Sequence, residues 1–186
     1  MSKEVSRFLS LVLRHKPETI GIKLDKNGWV KVIDLLDKLQ EHGKGITLDE
    51  LKSIVDNNDK QRFGFSKDGI HIRANQGHSL NVDLQLKAVR PPSVLYHGTS
   101  KRFQKEIETD GLKKMNRDHV HLSEDVDVAI NVALRRGKDY IIYKINSWHM
   151  DSNGIKFYKS ENGVWLTDYV SHLYLKLHDD ATKKRG

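Results

Sequence analysis

Apolar residues recur every three or four positions over much of the first third of the chain, which is the spacing of amphipathic helices. The predicted helices cover residues 4–15, 30–42 and 48–57. Gly43 follows the second of them as a predicted C-cap, and Thr47 with Glu50 opens the third at capping-box spacing. A short strand is predicted at residues 20–24, between the first two helices.

The sequence QRFGFSKDGIHIRA, residues 61–74, alternates apolar and polar positions on both sides of a Lys-Asp-Gly turn. This pattern is typical of a β-hairpin. Three helices followed by a hairpin predict a winged-helix-like N-terminal lobe.

Consecutive prolines in RPPS, residues 90–93, exclude regular structure and predict a connector between two domains, 1–89 and 94–180. The predicted strands of the second domain lie in VLYHGTS, HVHLS, DYIIYKINS, GVWLTDYV and SHLYLKL. Its predicted helices are FQKEIETDGL, which Gly111 caps, and SEDVDVAINVALRRGKD, which Gly137 ends. The first strand is expected to break at Gly98. The predicted fold class is therefore α+β, with a C-terminal lobe rich in strands.

Composition narrows the possible functions. The chain has 186 residues, of which 37% are hydrophobic, and it contains no cysteine, so a disulfide framework, a thiolate metal site and a cysteine nucleophile are excluded. Its formal charge of +7 favours a polyanionic partner such as RNA or DNA, and the excess of lysine and arginine is spread over both halves. No apolar run is long enough to cross a bilayer, so we expect a soluble cytoplasmic protein that does not bind membranes. We also expect no metal and a monomer.

Several cations stand at the ends of predicted elements. Arg14 and His15 close the first helix just before Pro17, and a helical projection places His15 in the apolar arc, facing the protein. Cations in a last helical turn also complement the helix dipole, so the pair alone does not require a function. Arg62 is expected on the face of the hairpin opposite its two phenylalanines, where a solvated arginine is the alternative. Arg117 lies where a loop meets a strand, a place where functional side chains concentrate.

The sequence YHGTS, residues 96–100, combines a histidine with a glycine and small hydroxyl residues. A ligand can approach the backbone closely at glycine and find hydrogen-bond donors beside it. A strand that ends in a turn with a packed histidine is the alternative. The chain has no glycine-rich Walker loop, no G-x-G-x-x-G and no G-x-S-x-G elbow, so the common nucleotide and hydrolase motifs are excluded.

Taken together, these segments resemble the NAD-dependent RNA 2′-phosphotransferases, the family that removes the splice-junction 2′-phosphate from tRNA. The matching segments, in the family's order and spacing, are LSLVLRHKPE, GWVKVIDLL, DKQRFGFS, IRANQGHS, YHGTS, GL, RDHVHLS and ENGVWLT. They extend from about residue 5 to residue 175. The resemblance implies that the N-terminal lobe is winged-helix-like and that the C-terminal lobe is similar to ADP-ribosyltransferases.

The resemblance also implies which residues function. The family's catalytic arginine-histidine pair matches Arg14 and His15, and its two further essential arginines match Arg62 and Arg117. The family's NAD-site positions match His97, Gly98, Thr99, His121, Leu122 and Ser123. NAD is then a co-substrate, the partner is RNA bearing a 2′-phosphate, and the products are RNA, ADP-ribose 1″,2″-cyclic phosphate and nicotinamide.

Two other functions fit the same residues. An ADP-ribosyltransferase acting on terminal phosphates of nucleic acid would use the same arginines and stop after the first step. A winged-helix module that binds nucleic acid without catalysis would not consume NAD.

Overall fold

Three helices and a small sheet build the first of two units into which this computed structural model divides. Residues 2–58 and 60–178 are described. The first unit comprises Met1–Leu86 with Asn116–Asp118, and the second comprises Lys87–Met115 with His119–Gly186. The division lies a few residues before the RPPS connector. Residues 179 and 180 of the predicted second domain lie outside the described residues.

The first unit follows the predicted order of helices. Its helices are α1, Ser2–Arg14, α2, Val32–Glu41, and α3, Leu48–Asp56. The capping box is confirmed, because Thr47 Oγ1 accepts from the Glu50 N–H at 3.2 Å and the Glu50 carboxylate accepts from the Thr47 N–H at 2.7 Å. Apolar side chains of all three helices meet in one core. Among its fully buried members are Leu9, Leu13, Leu35, Leu39 and Leu51.

The hairpin prediction is confirmed. The strands of the first unit are β1, Val30–Lys31, β2, Phe63–Phe65, and β3, His71–Ala74, and β3 pairs antiparallel with both of the others. The second predicted helix therefore starts too early, since Val30 and Lys31 belong to the sheet. The strand predicted at 20–24 is wrong. Pro17–Ile20 forms a 3-10 turn instead, and Gly21 ends it at a φ of 72° that favours glycine.

Small antiparallel sheets dominate the second unit. Its strands are β4, Leu95–Ser100, β5, Leu112–Lys113, β6, Val120–Leu122, β7, Tyr140–Ile145, β8, Tyr158–Lys159, β9, Trp165–Thr167, β10, Tyr169–Val170, and β11, Leu175–Leu177. They form the sheets β11-β7-β4, β6-β9-β8 and β10-β5. The mixture of helices and small antiparallel sheets confirms the α+β class.

Three helices accompany these sheets: α4, Gln104–Asp110, α5, Val126–Leu134, and α6, Ser147–Ser152. Gly111 caps α4 as predicted. The predicted strand SHLYLKL begins late, because Ser171 caps a 3-10 turn over His172–Tyr174 before β11 starts. Within the described part of the chain, no helix has both the length and the apolar character needed to cross a bilayer.

Candidate active site

The end of α1 places the predicted arginine-histidine pair. The N–H groups of His15 and Lys16 both donate to the Leu11 carbonyl at 2.9 Å, and the chain then turns into Pro17. A proline disfavours the helical conformation at the residue before it, which explains why the helix stops at Arg14. The Arg14 carbonyl is bound from elsewhere, since it accepts from the Ser79 N–H at 2.9 Å.

Arg14 is partly buried among other cations. Burial, followed by the positive charges of Arg62 and Arg117, lowers the pKa of its guanidinium to about 10. An arginine remains protonated even so, which means that the positive charges of Arg62 and Arg117 both repel that of Arg14. Repelling guanidinium groups that are held near each other are suited to bind an anion with several oxygens, because each planar fork can donate to two of them.

Arg62 lies directly before β2, and other residues fix its backbone. Its carbonyl accepts from the Asn75 N–H at 2.9 Å and from Arg14 Nη2 at 3.5 Å. Asn75 Nδ2 also donates to the Gln61 carbonyl at 2.6 Å. Gln61 has a φ of 39°, which residues other than glycine rarely adopt. The turn into Arg62 is therefore a strained backbone conformation that these hydrogen bonds stabilise. The Arg62 guanidinium donates from Nη1 to Asn58 Oδ1 at 3.3 Å.

His15 is exposed, and its expected orientation toward the protein is wrong. The helical projection does not apply to it, because α1 has already ended at Arg14. The ring lies with Nδ1 at 2.9 Å from the Ser79 hydroxyl. Burial, Arg14 and Arg117, in that order, lower the pKa of His15. The imidazole is therefore largely neutral at pH 7.

Arg117 lies in the segment between β5 and β6, and it packs with the first unit rather than the second. Its side chain is exposed. Its charge lowers the pKa of both Arg14 and His15. The structure thus brings together, within the first unit, the four residues predicted to act on phosphate.

Two further residues of the first unit, Arg73 and His78, accompany this cluster, and neither was among the residues predicted to function. Arg73 is only 7% exposed, and its guanidinium lies over the Trp29 ring at 4.4 Å. His78 is fully buried, and neither of its ring nitrogens has a hydrogen-bond partner among the described residues. Burial, followed by the charges of Arg14, Arg73 and His15, lowers the pKa of His78 to about 4.

The residues matched to an NAD site lie in the second unit, on β4 and at the end of β6. These strands meet at a bridge in which Tyr96 and Ser123 exchange backbone hydrogen bonds of 2.8 and 2.9 Å. His97 Nδ1 lies 2.9 Å from the His121 carbonyl. A carbonyl can only accept, so Nδ1 of His97 carries the proton and the tautomer of the neutral ring is fixed.

Gly98 does not break its strand as predicted, because β4 continues through it to Ser100. A Cβ at this position would lie 2.0 Å from the Ala129 carbonyl oxygen of α5. The glycine therefore has a packing reason that is independent of any ligand. Thr99 is 5% exposed, and Leu122 is buried in the core of the second unit.

Several side chains in this part of the second unit can form hydrogen bonds with a ligand or stack against it. Half-buried His97, His121 and Ser123 combine imidazole rings with a hydroxyl, and the Tyr96 ring beside His178 offers an aromatic face. Leu122, in contrast, can contribute only its backbone.

Among the residues that the structure describes, no group of three or more His, Cys, Asp or Glu side chains is arranged to hold a metal ion.

Comparison with known proteins gives a consistent match. The family model described as "RNA 2'-phosphotransferase, Tpt1 / KptA family" matches residues 1–169. A protein of Fusobacterium nucleatum named "Probable RNA 2'-phosphotransferase" is 49% identical over 173 residues, which cover 93% of this chain and 97% of that protein. Proteins of the same name from Flavobacterium johnsoniae and Hahella chejuensis are 48% and 49% identical. The first alignment covers 95% of this chain and 96% of the relative, and the second covers 96% of each.

Proposed function

Because the chain belongs to the RNA 2′-phosphotransferase, Tpt1 / KptA family, we propose that it removes an internal 2′-phosphate from RNA by transferring it to NAD. A phosphate of this kind remains at tRNA splice junctions. The products are RNA with a free 2′-hydroxyl, ADP-ribose 1″,2″-cyclic phosphate and nicotinamide. The first unit is then the winged-helix-like lobe, and the second is the ADP-ribosyltransferase-like lobe.

One observation carries this proposal: within the first unit, the charges of Arg62 and Arg117 act on Arg14, and those of Arg14 and Arg117 act on His15. They come from three separate segments of the chain. A phosphate dianion offers the opposite charge and three oxygens, so it would turn the mutual repulsion of these cations into attraction. A cluster of this composition is expected where a protein holds a phosphoryl group during its transfer.

In the first step, an oxygen of the RNA 2′-phosphate attacks the ribose carbon of NAD that bears nicotinamide, and the bond to nicotinamide breaks. We assign Arg62 and Arg117 to hold the phosphate in the required orientation. Fixing a nucleophile in place removes much of the entropic part of a barrier. We assign His97, Gly98, Thr99, His121, Leu122 and Ser123 to hold NAD.

In the second step, the adjacent 2″-hydroxyl attacks phosphorus, and the RNA 2′-oxygen leaves with a proton. Negative charge on the phosphoryl oxygens must be neutralised in this step, and a proton must move. We assign Arg14 to stabilise that charge. His15, neutral at pH 7 and beside Arg14, either contacts the phosphate or carries the proton.

The proposal is tested by incubating the protein with an oligonucleotide that carries one internal 2′-phosphate, with and without NAD. Mass spectrometry should show NAD-dependent loss of the phosphate and formation of ADP-ribose 1″,2″-cyclic phosphate. An oligonucleotide with a 5′-terminal phosphate is the matched substrate. ADP-ribose retained on either oligonucleotide as the end product would identify a terminal ADP-ribosyltransferase instead, and binding without NAD consumption would identify a non-catalytic module.

A further inference from the structure

Ser79 contacts both members of the arginine-histidine pair. Its N–H donates to the Arg14 carbonyl at 2.9 Å, and its hydroxyl lies 2.9 Å from His15 Nδ1. The side-chain contact joins residues 64 positions apart in sequence. A single serine thus holds the end of α1 through its backbone and the imidazole through its side chain.

The hydroxyl contact determines which ring nitrogen of His15 is available for chemistry. A serine hydroxyl can donate to a neutral Nδ1 or accept from an Nδ1–H, so the contact persists in either protonation state of the ring. In both cases Nδ1 is occupied by Ser79. Nε2, at the opposite edge of the imidazole, is then the nitrogen that meets a substrate.

Few other contacts of the described residues hold the His15 ring in place. It follows the last residue of α1, and its side chain is exposed, so neither helix packing nor a surrounding core fixes the ring. An unconstrained exposed side chain samples several rotamers. The hydrogen bond to the Ser79 hydroxyl restricts the rotamers of the His15 side chain.

We propose that Ser79 is a positioning residue, whose hydroxyl holds the His15 ring so that Nε2 is directed to the phosphoryl group. This inference rests on the proposed function, since it assigns His15 to the transferred phosphate. It adds a residue that acts through His15 and not on the substrate itself.

Substitution of Ser79 separates the hydroxyl from the rest of the residue. Ser79→Ala removes the contact to the ring and keeps the N–H that binds Arg14. Ser79→Thr restores a hydroxyl, and its methyl group is accommodated because the position is exposed and has no positive φ. Ser53→Ala is the matched control. Ser53 is another exposed serine of the first unit, and its hydroxyl accepts from Asn57 Nδ2 at 3.0 Å on α3.

The experiment measures NAD-dependent release of the 2′-phosphate together with histidine NMR spectra of the same proteins. We expect kcat of Ser79→Ala to fall about tenfold, which corresponds to about 1.4 kcal/mol, with KM for NAD and the melting temperature unchanged. Ser79→Thr should recover kcat to within about threefold of the wild type, and Ser53→Ala should match the wild type. In the spectra, the His15 ring should hold one orientation in the wild type and in Ser79→Thr, and average between orientations in Ser79→Ala.

Several results would overturn the role of Ser79. One is an unchanged kcat in Ser79→Ala, and another is an equal loss in Ser79→Ala and Ser79→Thr, which would indicate packing at the position. The third is a fixed His15 ring in Ser79→Ala, a readout that needs no turnover. Absence of 2′-phosphate release by the wild-type protein would instead refute the proposed function, and the NMR comparison would still decide whether Ser79 orients the ring.

Discussion

Replacing Arg14 by methionine should make the protein more stable and much less active. The charged form of Arg14 is disfavoured in the folded state, because burial and two neighbouring arginines lower its pKa well below its ordinary value, to about 10. That difference corresponds to about 3 kcal/mol of unfavourable electrostatic free energy at neutral pH. Methionine has a similar length and no charge. Among the described groups, the substitution removes the hydrogen bond from Arg14 Nη2 to the Arg62 carbonyl, which is long at 3.5 Å.

We therefore expect the free energy of unfolding to rise by about 2 kcal/mol, and the melting temperature of the first unit by roughly 8 to 16 °C. Chemical denaturation followed by circular dichroism measures the first quantity, and calorimetry measures the second. Turnover of a 2′-phosphorylated oligonucleotide should fall about 10²- to 10³-fold, as when one donor of a preorganised anion site is removed. Arg7→Met is the control, since Arg7 lies on the exposed side of the same helix.

Unfolding of Arg14→Met at a lower denaturant concentration than the wild type, without the same change in Arg7→Met, would refute this electrostatic account. That result would mean that Arg14 contributes favourable contacts that outweigh its desolvation and repulsion. A stabilised variant with unchanged turnover would retain the electrostatic account and remove Arg14 from the mechanism.

Three further predictions concern other residues. Arg62→Ala and Arg117→Ala should remain folded by circular dichroism but lose about 10²-fold or more of 2′-phosphate release, and a folded variant with full turnover would exclude that arginine. Because the folded pKa of His78 is about 4, below its ordinary 6.5, the wild type should lose stability as pH falls from about 6.5 toward 4, by about 3 kcal/mol. His78→Phe should flatten that loss in denaturant titrations at several pH values, and an equally steep loss would contradict it. Gly98→Ala should lower the melting temperature of the second unit, since its Cβ would lie 2.0 Å from a backbone oxygen of α5; an unchanged calorimetric transition would show that β4 and α5 can separate at little cost.

Local pattern predicted the elements whose residues determine their own structure. The helices of the first unit and the hairpin have clear periods of 3.6 and 2, and both were found. The strand predicted at 20–24 failed because Pro17 and Gly21 together favour a tight turn. β1 was missed because two residues become a strand only by pairing with β3, which is distant in sequence.

The sequence predicts which residues form the candidate site, but it does not predict how they are arranged. Arg14 and Arg62 were recognised through a resemblance, and no periodicity could have indicated that their side chains approach each other. Alternation along β3 indicates which face Arg73 lies on, but not that Trp29 covers that face. His78 and Ser79 follow the strand in a segment without a period, so only tertiary structure could reveal their contacts.

The described first unit retains destabilising features around the arginines, and a bound anion is expected to offset part of their cost. Arg14 Nε, Asn75 Oδ1 and both nitrogens of His78 are buried without a hydrogen-bond partner among the described groups. Buried polar atoms of this kind are rare in proteins, because each one loses its hydration without compensation. The mutual repulsion of the guanidinium groups adds to that cost. An anion that binds the cluster relieves the repulsion only in the folded state, so inorganic phosphate at about ten times its Kd should stabilise the wild type by about 1.4 kcal/mol. The same phosphate should stabilise Arg14→Met less, because that variant has already lost part of the repulsion, and equal stabilisation of the two would place the phosphate elsewhere.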